Sequence, residues 1–231
     1  MSVLQFPPPS GKALSESDGP PLDGEADHRI ANNLGLIIGL LRMRARAVAQ
    51  HPGKMERDEV RVLLEDIAAR IETVAKLHRM LSQSYRQATV DVGAYLRELC
   101  ASLTAALSPS ARVDISHHVS DACVLPPDQV LTLGLLATEL ITNSVKYAHP
   151  TGLPVRIEIS CRQITPGSLV IDFADDGVGL PEEFDPATDG GLGLRIAHSL
   201  AAQLQATLAF ASGPLGTRVR LEVPLRGTKP G

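Results

Sequence analysis

The sequence has no long hydrophobic run and no excess of positive charge. Its 231 residues contain no uninterrupted apolar stretch near the roughly 20 residues that a membrane-spanning helix requires. The N-terminus also lacks the charged-then-apolar pattern of a secretion signal. A formal net charge of −4 gives no general attraction to nucleic acid or to anionic lipid. We therefore expect a cytoplasmic protein with no membrane insertion and no nucleic-acid partner.

Cysteine is scarce as well. Cys100, Cys123 and Cys161 form no C-x-x-C pair and are odd in number, which argues against a disulfide framework and against a zinc knuckle. Buried, reduced thiols are the expectation.

Two common nucleotide-binding patterns are also missing, because neither the P-loop G-x-x-x-x-G-K-[ST] nor the dinucleotide-binding G-x-G-x-x-G occurs. These absences disfavour both of those nucleotide-binding folds.

The composition and length of the chain fit a folded protein of two units. Hydrophobic residues make up 44% of the chain and charged residues 21%, close to the usage of folded domains. The length allows one ordinary domain plus a smaller element. Residues 1–24 are rich in proline, glycine, serine and acidic residues, so we expect a disordered leader there. Residues 227–231 are expected to form a short tail.

The first unit, residues 25–88, is predicted to be a helical hairpin. Apolar residues recur at three- and four-residue steps from Ile30 to Val48, a turn signal follows at 51–53, and a second periodic segment begins after it. The apolar stripe of this second helix is too broad for one partner helix to cover. We therefore expect a homodimer held together by a four-helix bundle. The stripe consists of Val60, Leu63, Leu64, Ile67, Ile71, Val74, Leu77 and Leu81.

The second unit, residues 89–226, mixes helical and strand patterns. Strands with one buried face are expected to form a sheet, and helices are expected to pack on one side of it, as an α/β sandwich. The predicted fold class is therefore α+β, a dimeric helical hairpin followed by this sandwich. Helices are predicted at 91–107, 127–148 and 192–204, and strands around 113–115, 155–161, 169–173 and 217–223.

A polar motif lies on the predicted helix 127–148. Glu139, Asn143 and Lys146 are spaced by four and then three residues, so their side chains project from one face. A carboxylate, an amide oxygen and an ammonium group suit a hydrated Mg²⁺ and the phosphates that it bridges. The pattern also fits an ordinary exposed helix face. His149, just after the motif, fits either the lining of a nucleotide pocket or a cap on the helix C-terminus.

Two glycine-rich motifs follow. The first, Asp175-Asp176-Gly177-Val178-Gly179, closes a hydrophobic strand; its carboxylate can accept a hydrogen bond from an exocyclic amine, and its glycines allow close approach to a flat base. By itself it also fits a tight turn. The second, Gly190-Gly191-Leu192-Gly193-Leu194, opens a predicted helix, whose N-terminal N–H groups can bind phosphate oxygens.

Together these segments resemble the N, G1 and G2 boxes of the Bergerat-type ATP-binding fold that histidine kinases share with gyrase, Hsp90 and MutL. The resemblance implies that the protein binds ATP, that Asn143 and Glu139 hold Mg²⁺, and that Asp175 recognises adenine. It also implies a short ATP lid between the two glycine-rich motifs and a supporting role for Thr217 beside Asp175. Further nucleotide contacts are implied for Lys146, Gly177, Gly179, Gly191, Gly193 and Leu194.

The start of the first helix, Asp27-His28-Arg29-Ile30-Ala31-Asn32-Asn33-Leu34, is similar to the H-box of the HWE and HisKA_2 histidine kinases. By that likeness His28 is the phosphorylated histidine. A neutral imidazole nitrogen can attack phosphorus at neutral pH, and the phosphoramidate that forms stays reactive. Arg29 and Ala31 depart from common patterns, so the general base stays open between Asp27, Glu139 and none.

The resemblance implies a kinase that phosphorylates its own His28 from Mg-ATP and transfers the phosphoryl group to an aspartate of a response regulator receiver domain. Because only the leader precedes the H-box, we expect a kinase without a sensor domain, controlled by an upstream regulatory protein. Two alternatives stay open: a histidine phosphotransferase that relays phosphoryl groups without ATP, and a partner-switching or anti-sigma-type serine kinase.

Overall fold

A computed structural model of the chain describes residues 55–81, 87–106, 113–120 and 123–225, together with isolated positions between 35 and 53. The predicted leader, the H-box with His28, and the C-terminal tail lie outside the described residues. The described chain contains a long helix and then helices packed on one face of a mixed sheet. This arrangement confirms the predicted α+β class, in which a helical region precedes an α/β sandwich.

Helix α1 spans Arg57–Leu81, and most of the positions described between 35 and 53 are also helical, as expected for the first helix of a hairpin. The apolar stripe of α1 is divided between two environments. Near its C-terminal end, Val74, Leu77 and Leu81 are buried in the same hydrophobic core as the sandwich. In its first half, Val60 and Leu64 are exposed. Within the described residues, the stripe is therefore fully buried only near its C-terminal end.

The helices of the sandwich begin at clear start signals. Helix α2 (Val92–Ala106) follows Asp91, whose Oδ1 accepts a hydrogen bond from the Ala94 N–H at 3.0 Å. Helix α3 (Pro127–Tyr147) has its proline in the first turn, where the missing N–H leaves no intrahelical bond unmade. Helix α4 (Leu192–Gln203) starts directly after Gly191. α3 is central, because it packs against α1, α2 and α4.

In the part of the chain that the structure describes, five strands form the main sheet, and a separate antiparallel ribbon joins two short ones. In the main sheet the first two neighbours are parallel and the remaining pairs are antiparallel. The ribbon pairs β1 (Val90–Asp91) with β3 (Val124–Leu125), and the main sheet contains β2 (Val113–Val119), β4 (Val155–Thr165), β5 (Ser168–Asp175), β6 (Thr207–Gly213) and β7 (Gly216–Pro224). The strand order in the main sheet is β2-β4-β5-β7-β6.

The helix-facing side of the sheet forms the core. Ile157 and Ile159 on β4 and Leu169 and Ile171 on β5 are fully buried beneath the helices. Along β4, buried and polar positions alternate as the sequence predicted, and β5 is the predicted hydrophobic strand, buried from Leu169 to Phe173. Strand β6 was not predicted from the sequence. Among the described residues, no helix combines the length and hydropathy needed to cross a lipid bilayer.

The opposite side of the sheet carries a buried carboxylate. Asp172 on β5 is only 2% exposed and pairs with Arg220 at 2.8 Å and with Arg162 at 3.1 Å, on the two neighbouring strands. Burial raises the pKa of Asp172, but the hydrogen bonds and charges of the two guanidinium groups outweigh burial and hold that pKa below its usual value. The three side chains therefore link β4, β5 and β7.

Candidate functional site

A cavity of about 500 Å³ opens beside α3, α4 and the ends of β5 and β7. Its size is that of a small-molecule site, and apolar side chains with a few polar groups are the usual lining of such sites. The lining joins segments that are far apart in sequence. Predicted site residues that line the cavity are Asn143, Asp175, Gly179, Gly191, Gly193, Leu194 and Thr217.

Asp175, the last residue of β5, is held in place by three hydrogen bonds. Its Oδ1 accepts from the backbone N–H of Gly177 at 3.0 Å and from that of Thr217 at 3.1 Å. Its Oδ2 accepts from the Ser144 hydroxyl at 2.9 Å. A carboxylate oxygen can accept more than one hydrogen bond, so this fixed group can also accept one from a ligand in the cavity. The backbone of Thr217 thus supports Asp175, as the resemblance implied.

Two glycines beside Asp175 have backbones that a side chain would strain. Gly179 has φ +76° and Gly216 has φ +121°, a region that L-residues rarely adopt. A Cβ at Gly179 would overlap the carbonyl oxygen of Gly213, and a Cβ at Gly216 would overlap the carbonyl oxygen of Asp175. The turn after β5 and the β6–β7 hairpin therefore approach each other backbone to backbone at the edge of the cavity.

The first and third motifs meet at the other end of the site. A Cβ built on Gly193 would lie 3.2 Å from Asn143 Oδ1 and 3.2 Å from Glu139 Oε2. The absence of a side chain at Gly193 keeps the start of α4 close to the two oxygens without crowding them. Gly191, two residues earlier, has no heavy atom other than those of its chain neighbours within 4 Å of its Cβ position, and it borders the same space.

This end of the site fits a magnesium ion that takes only part of its shell from the protein. Within the described ranges, no group of three or more His, Cys, Asp or Glu side chains could hold a metal ion by itself. Asn143 and Glu139 supply an amide oxygen and a carboxylate, which are the oxygen ligands that Mg²⁺ prefers. Mg²⁺ usually keeps several waters and completes its shell with substrate phosphates. The donor set present is consistent with that kind of site.

Three residues predicted for the site lie outside the cavity lining. Lys146 is exposed, and Gly177 is buried against Ala148, where a Cβ would lie 2.5 Å from the Ala148 Cα. Glu139 is near the site through its proximity to Gly193, although it does not line the cavity. The space occupied by Gly177 therefore serves the packing of the turn on α3, and its role toward a ligand stays a prediction.

The segment 180–189, predicted as a lid, is folded on itself. The Asp185 carboxylate accepts from the Thr188 hydroxyl at 3.0 Å, and the Asp189 carboxylate accepts from the backbone N–H of Asp185 at 2.9 Å. These local bonds form a compact acidic turn. Phe184, just before the turn, lines the cavity. The segment thus contributes an aromatic side chain to the site.

Two family profiles match the chain. Residues 25–107 match HisKA_2, described as a histidine kinase, and residues 128–227 match the family described as histidine kinase-, DNA gyrase B-, and HSP90-like ATPase. Together the matched segments cover more than three quarters of the chain. The chain belongs to the histidine kinase family. The resemblance stated from its H, N, G1 and G2 boxes is confirmed.

Known histidine kinases support this assignment. The chain is 25% identical over 210 residues to "Blue-light-activated histidine kinase 2" of Erythrobacter litoralis and 30% identical over 211 residues to "Sensor histidine kinase PdtaS" of Mycobacterium tuberculosis. The alignments cover 89% and 87% of this chain but only 57% and 39% of those two proteins. The solved blue-light activated histidine kinase EL346 of Erythrobacter litoralis shares the fold, with a TM-score of 0.69 at 23% identity, over 94% of this chain and 63% of that one.

Several residues of this histidine kinase site were not found from the sequence. Ser144 follows Asn143 on α3, yet its contact with Asp175 is made across 31 positions of sequence. Tyr147, Phe184 and Phe210 line the cavity from α3, the 180–189 segment and β6. The tyrosine directly follows Lys146 of the first motif, so a signal existed for it. The two phenylalanines carry no local pattern that separates them from core residues.

Proposed function

We propose that this chain is an ATP-dependent protein histidine kinase that phosphorylates His28. The observation that carries the proposal is the convergence of Asn143, Asp175 and Gly193 on one cavity of about 500 Å³, in a chain that belongs to the histidine kinase family. These residues come from three separate segments, and each supplies a different chemical group. The chain spans about half the length of the curated relatives it matches, so the activity is inferred from its own residues.

In the proposed complex, adenine occupies the end of the cavity at Asp175. The carboxylate accepts a hydrogen bond from the exocyclic amine, while apolar side chains of the lining cover the ring. The phosphates extend toward Gly191 and Gly193, where the start of α4 presents N–H groups and the positive end of its dipole. Lys146 and Leu194 are proposed as further contacts.

Asn143 and Glu139 are proposed to hold Mg²⁺ at the phosphate end. When bound, the ion would neutralise charge on the transferring phosphoryl group. Charge neutralisation and positioning of the reactants together account for most of the catalysis of phosphoryl transfer. The residues of the chain position the reactants. A neutral ring nitrogen of His28 forms a bond to the γ-phosphorus, the bond from that phosphorus to the β–γ bridging oxygen breaks, and ADP leaves. The phosphohistidine then passes its phosphoryl group to an aspartate of a response regulator receiver domain.

A homodimer is proposed as the active form. Val60 and Leu64 on α1 are exposed in the single chain, although they continue the stripe that is buried further along the helix. Exposed large apolar side chains in a row on one helix face favour helix association. A bundle made with a second copy would cover them. Control by an upstream regulatory protein is proposed as well.

Labelling with γ-³²P ATP and Mg²⁺ tests the proposal. Phosphohistidine is labile in acid and stable in base, so label on the purified chain should vanish after acid treatment and persist after alkali. His28→Ala should carry no label and keep its affinity for ATP. Asn143→Asp should also fail to label, while its melting temperature stays near that of the wild type, because the change affects metal binding and not packing.

Other outcomes would favour other functions. A chain that binds no ATP but accepts a phosphoryl group from a phosphorylated receiver is a relay phosphotransferase. Acid-stable label on a target protein indicates a serine kinase. Wild-type levels of acid-labile label on His28→Ala would show that a different histidine is the acceptor.

A further inference from the structure

The end of α3 and the turn after β5 are joined by a pair of side chains that the proposed chemistry does not use. His149 Nε2 lies 3.0 Å from Asp176 Oδ1, so the imidazole donates a hydrogen bond to the carboxylate. His149 is largely buried, with 15% of its side chain exposed, and Asp176 is 43% exposed. These two residues are adjacent to the adenine end of the site but do not line the cavity.

Asp176 is fixed from a second direction. The backbone N–H of Arg156, at the start of β4, donates to the same Oδ1 at 2.9 Å, and the backbone N–H of Asp176 donates back to the Arg156 carbonyl at 3.2 Å. Burial raises the pKa of Asp176, but the hydrogen bonds from Arg156 and His149 and the charge of His149 outweigh it and lower that pKa. The carboxylate therefore remains an ionised acceptor near neutral pH.

A backbone hydrogen bond connects the same two segments as the His149–Asp176 side-chain pair. The Val178 N–H donates to the Ala148 carbonyl at 2.9 Å, and Gly177 packs so closely on Ala148 that a Cβ would lie 2.5 Å from the Ala148 Cα. Tyr147, Ala148, Val178 and Gly179 all line the cavity. Two walls of the adenine end thus meet at one junction, and the His149–Asp176 bond spans that junction.

We propose that His149 and Asp176 act as a clasp that holds the adenine end of the nucleotide pocket in its binding shape. They are positioning residues, because they act through Tyr147, Ala148, Val178 and Gly179 and not by touching the nucleotide. This inference rests on the proposed ATP function. When a pocket is already ordered, less of the binding free energy is lost to ordering its loops. Loss of the clasp therefore weakens nucleotide affinity without altering the chemical step.

Calorimetry with ATP and with ADP tests the clasp. His149→Ala removes one charge-assisted hydrogen bond, so both dissociation constants should rise roughly five- to tenfold, by the same factor for the two nucleotides. His149→Gln, which retains an N–H donor, should recover most of the affinity. Autophosphorylation should show a raised KM for ATP and a kcat within about twofold of the wild type. The matched control is His118→Ala, an exposed histidine that pairs with Glu158 at 3.9 Å and should change neither constant.

The outcomes separate the clasp from simple stabilisation and from the proposed function. An unchanged affinity in His149→Ala overturns the clasp, and so does a His149→Gln variant that is no better than alanine. A larger loss for ATP than for ADP would place the effect at the phosphates and overturn it too. If His149→Ala is too unstable to assay, Asp176→Asn weakens the same bond and should raise both constants about threefold, and no change overturns the clasp. Failure of the wild type to bind either nucleotide overturns the proposed function as well.

Discussion

Replacing Asp175 by asparagine should separate the binding role of this residue from its structural role. The amide oxygen of asparagine can still accept from the backbone N–H groups of Gly177 and Thr217, which lie 3.0 Å and 3.1 Å from Oδ1. The Ser144 hydroxyl can rotate to accept from the new amide nitrogen. All three internal hydrogen bonds therefore have a replacement, and the free energy of unfolding should change by less than about 1 kcal/mol.

The hydrogen bond proposed between Asp175 and the exocyclic amine of adenine has no such replacement. The Asp175→Asn amide presents an N–H donor where the exocyclic amine of adenine needs an acceptor. A hydrogen bond to a charged group is worth about 1.5–3 kcal/mol, and each 1.4 kcal/mol is tenfold in affinity, so the dissociation constant of ATP should rise roughly ten- to hundredfold. Isothermal titration calorimetry measures this rise, and a thermal melt measures stability on the same sample.

Asp172→Asn is the matched control, because it makes the same change three residues earlier on the opposite face of β5. Asp172 is 2% exposed and pairs with two arginines. Its neutralisation should destabilise the fold by about 1–3 kcal/mol and leave ATP affinity unchanged. If Asp175→Asn binds ATP as tightly as the wild type, adenine is not recognised by this carboxylate and the proposed orientation of the nucleotide is wrong.

Three further predictions concern stability and assembly. Gly179→Ala should lower the free energy of unfolding by at least about 1 kcal/mol, because its φ is +76°. Gly167→Ala should have little effect, because a Cβ there would make only an ordinary contact with Thr165 Oγ1 at 3.9 Å; equal urea midpoints for the two variants would refute this. Asp172 has a lowered pKa, so its stabilisation is present above the unfolded value of about 3.9 and is lost as pH falls below it. Urea titrations from pH 6 to pH 3 should show a decline that is shallower in Asp172→Asn, and identical slopes would contradict the assignment. Leu64→Glu should dissociate the proposed dimer in light scattering and Val62→Glu should not, since the two side chains are 58% and 57% exposed but point to opposite sides of α1; an unchanged mass for both would exclude this face.

Local patterns in the sequence predicted most of the elements. Strands with strict alternation, such as Val155 to Cys161, follow directly from the two-residue period of a half-buried sheet. Strand β6 was missed because Thr207–Gly213 is rich in small and polar residues and its alternation is only half-buried. β6 is stabilised by its backbone hydrogen bonds to β7, and no pattern in its own sequence indicates that it forms a strand.

For the apolar stripe of α1, the sequence predicted the residues but not what each of them contacts. Helical periodicity identified every member of the stripe, from Val60 to Leu81. Periodicity cannot state which part of a stripe faces the same chain and which part faces another. The structure places Val74, Leu77 and Leu81 against the sandwich and leaves Leu64 exposed.

The sequence by itself determined the fold class, the family and the order of the site motifs, because helix and strand periods and short glycine-rich motifs are local properties of the chain. Only the tertiary structure decided how those motifs meet. The contacts of Ser144 with Asp175, of Gly193 with Asn143, and of His149 with Asp176 each join residues from different elements. Such contacts depend on the packing of α3 against α4 and on the end of β5, and packing of that kind leaves no periodic trace along the chain.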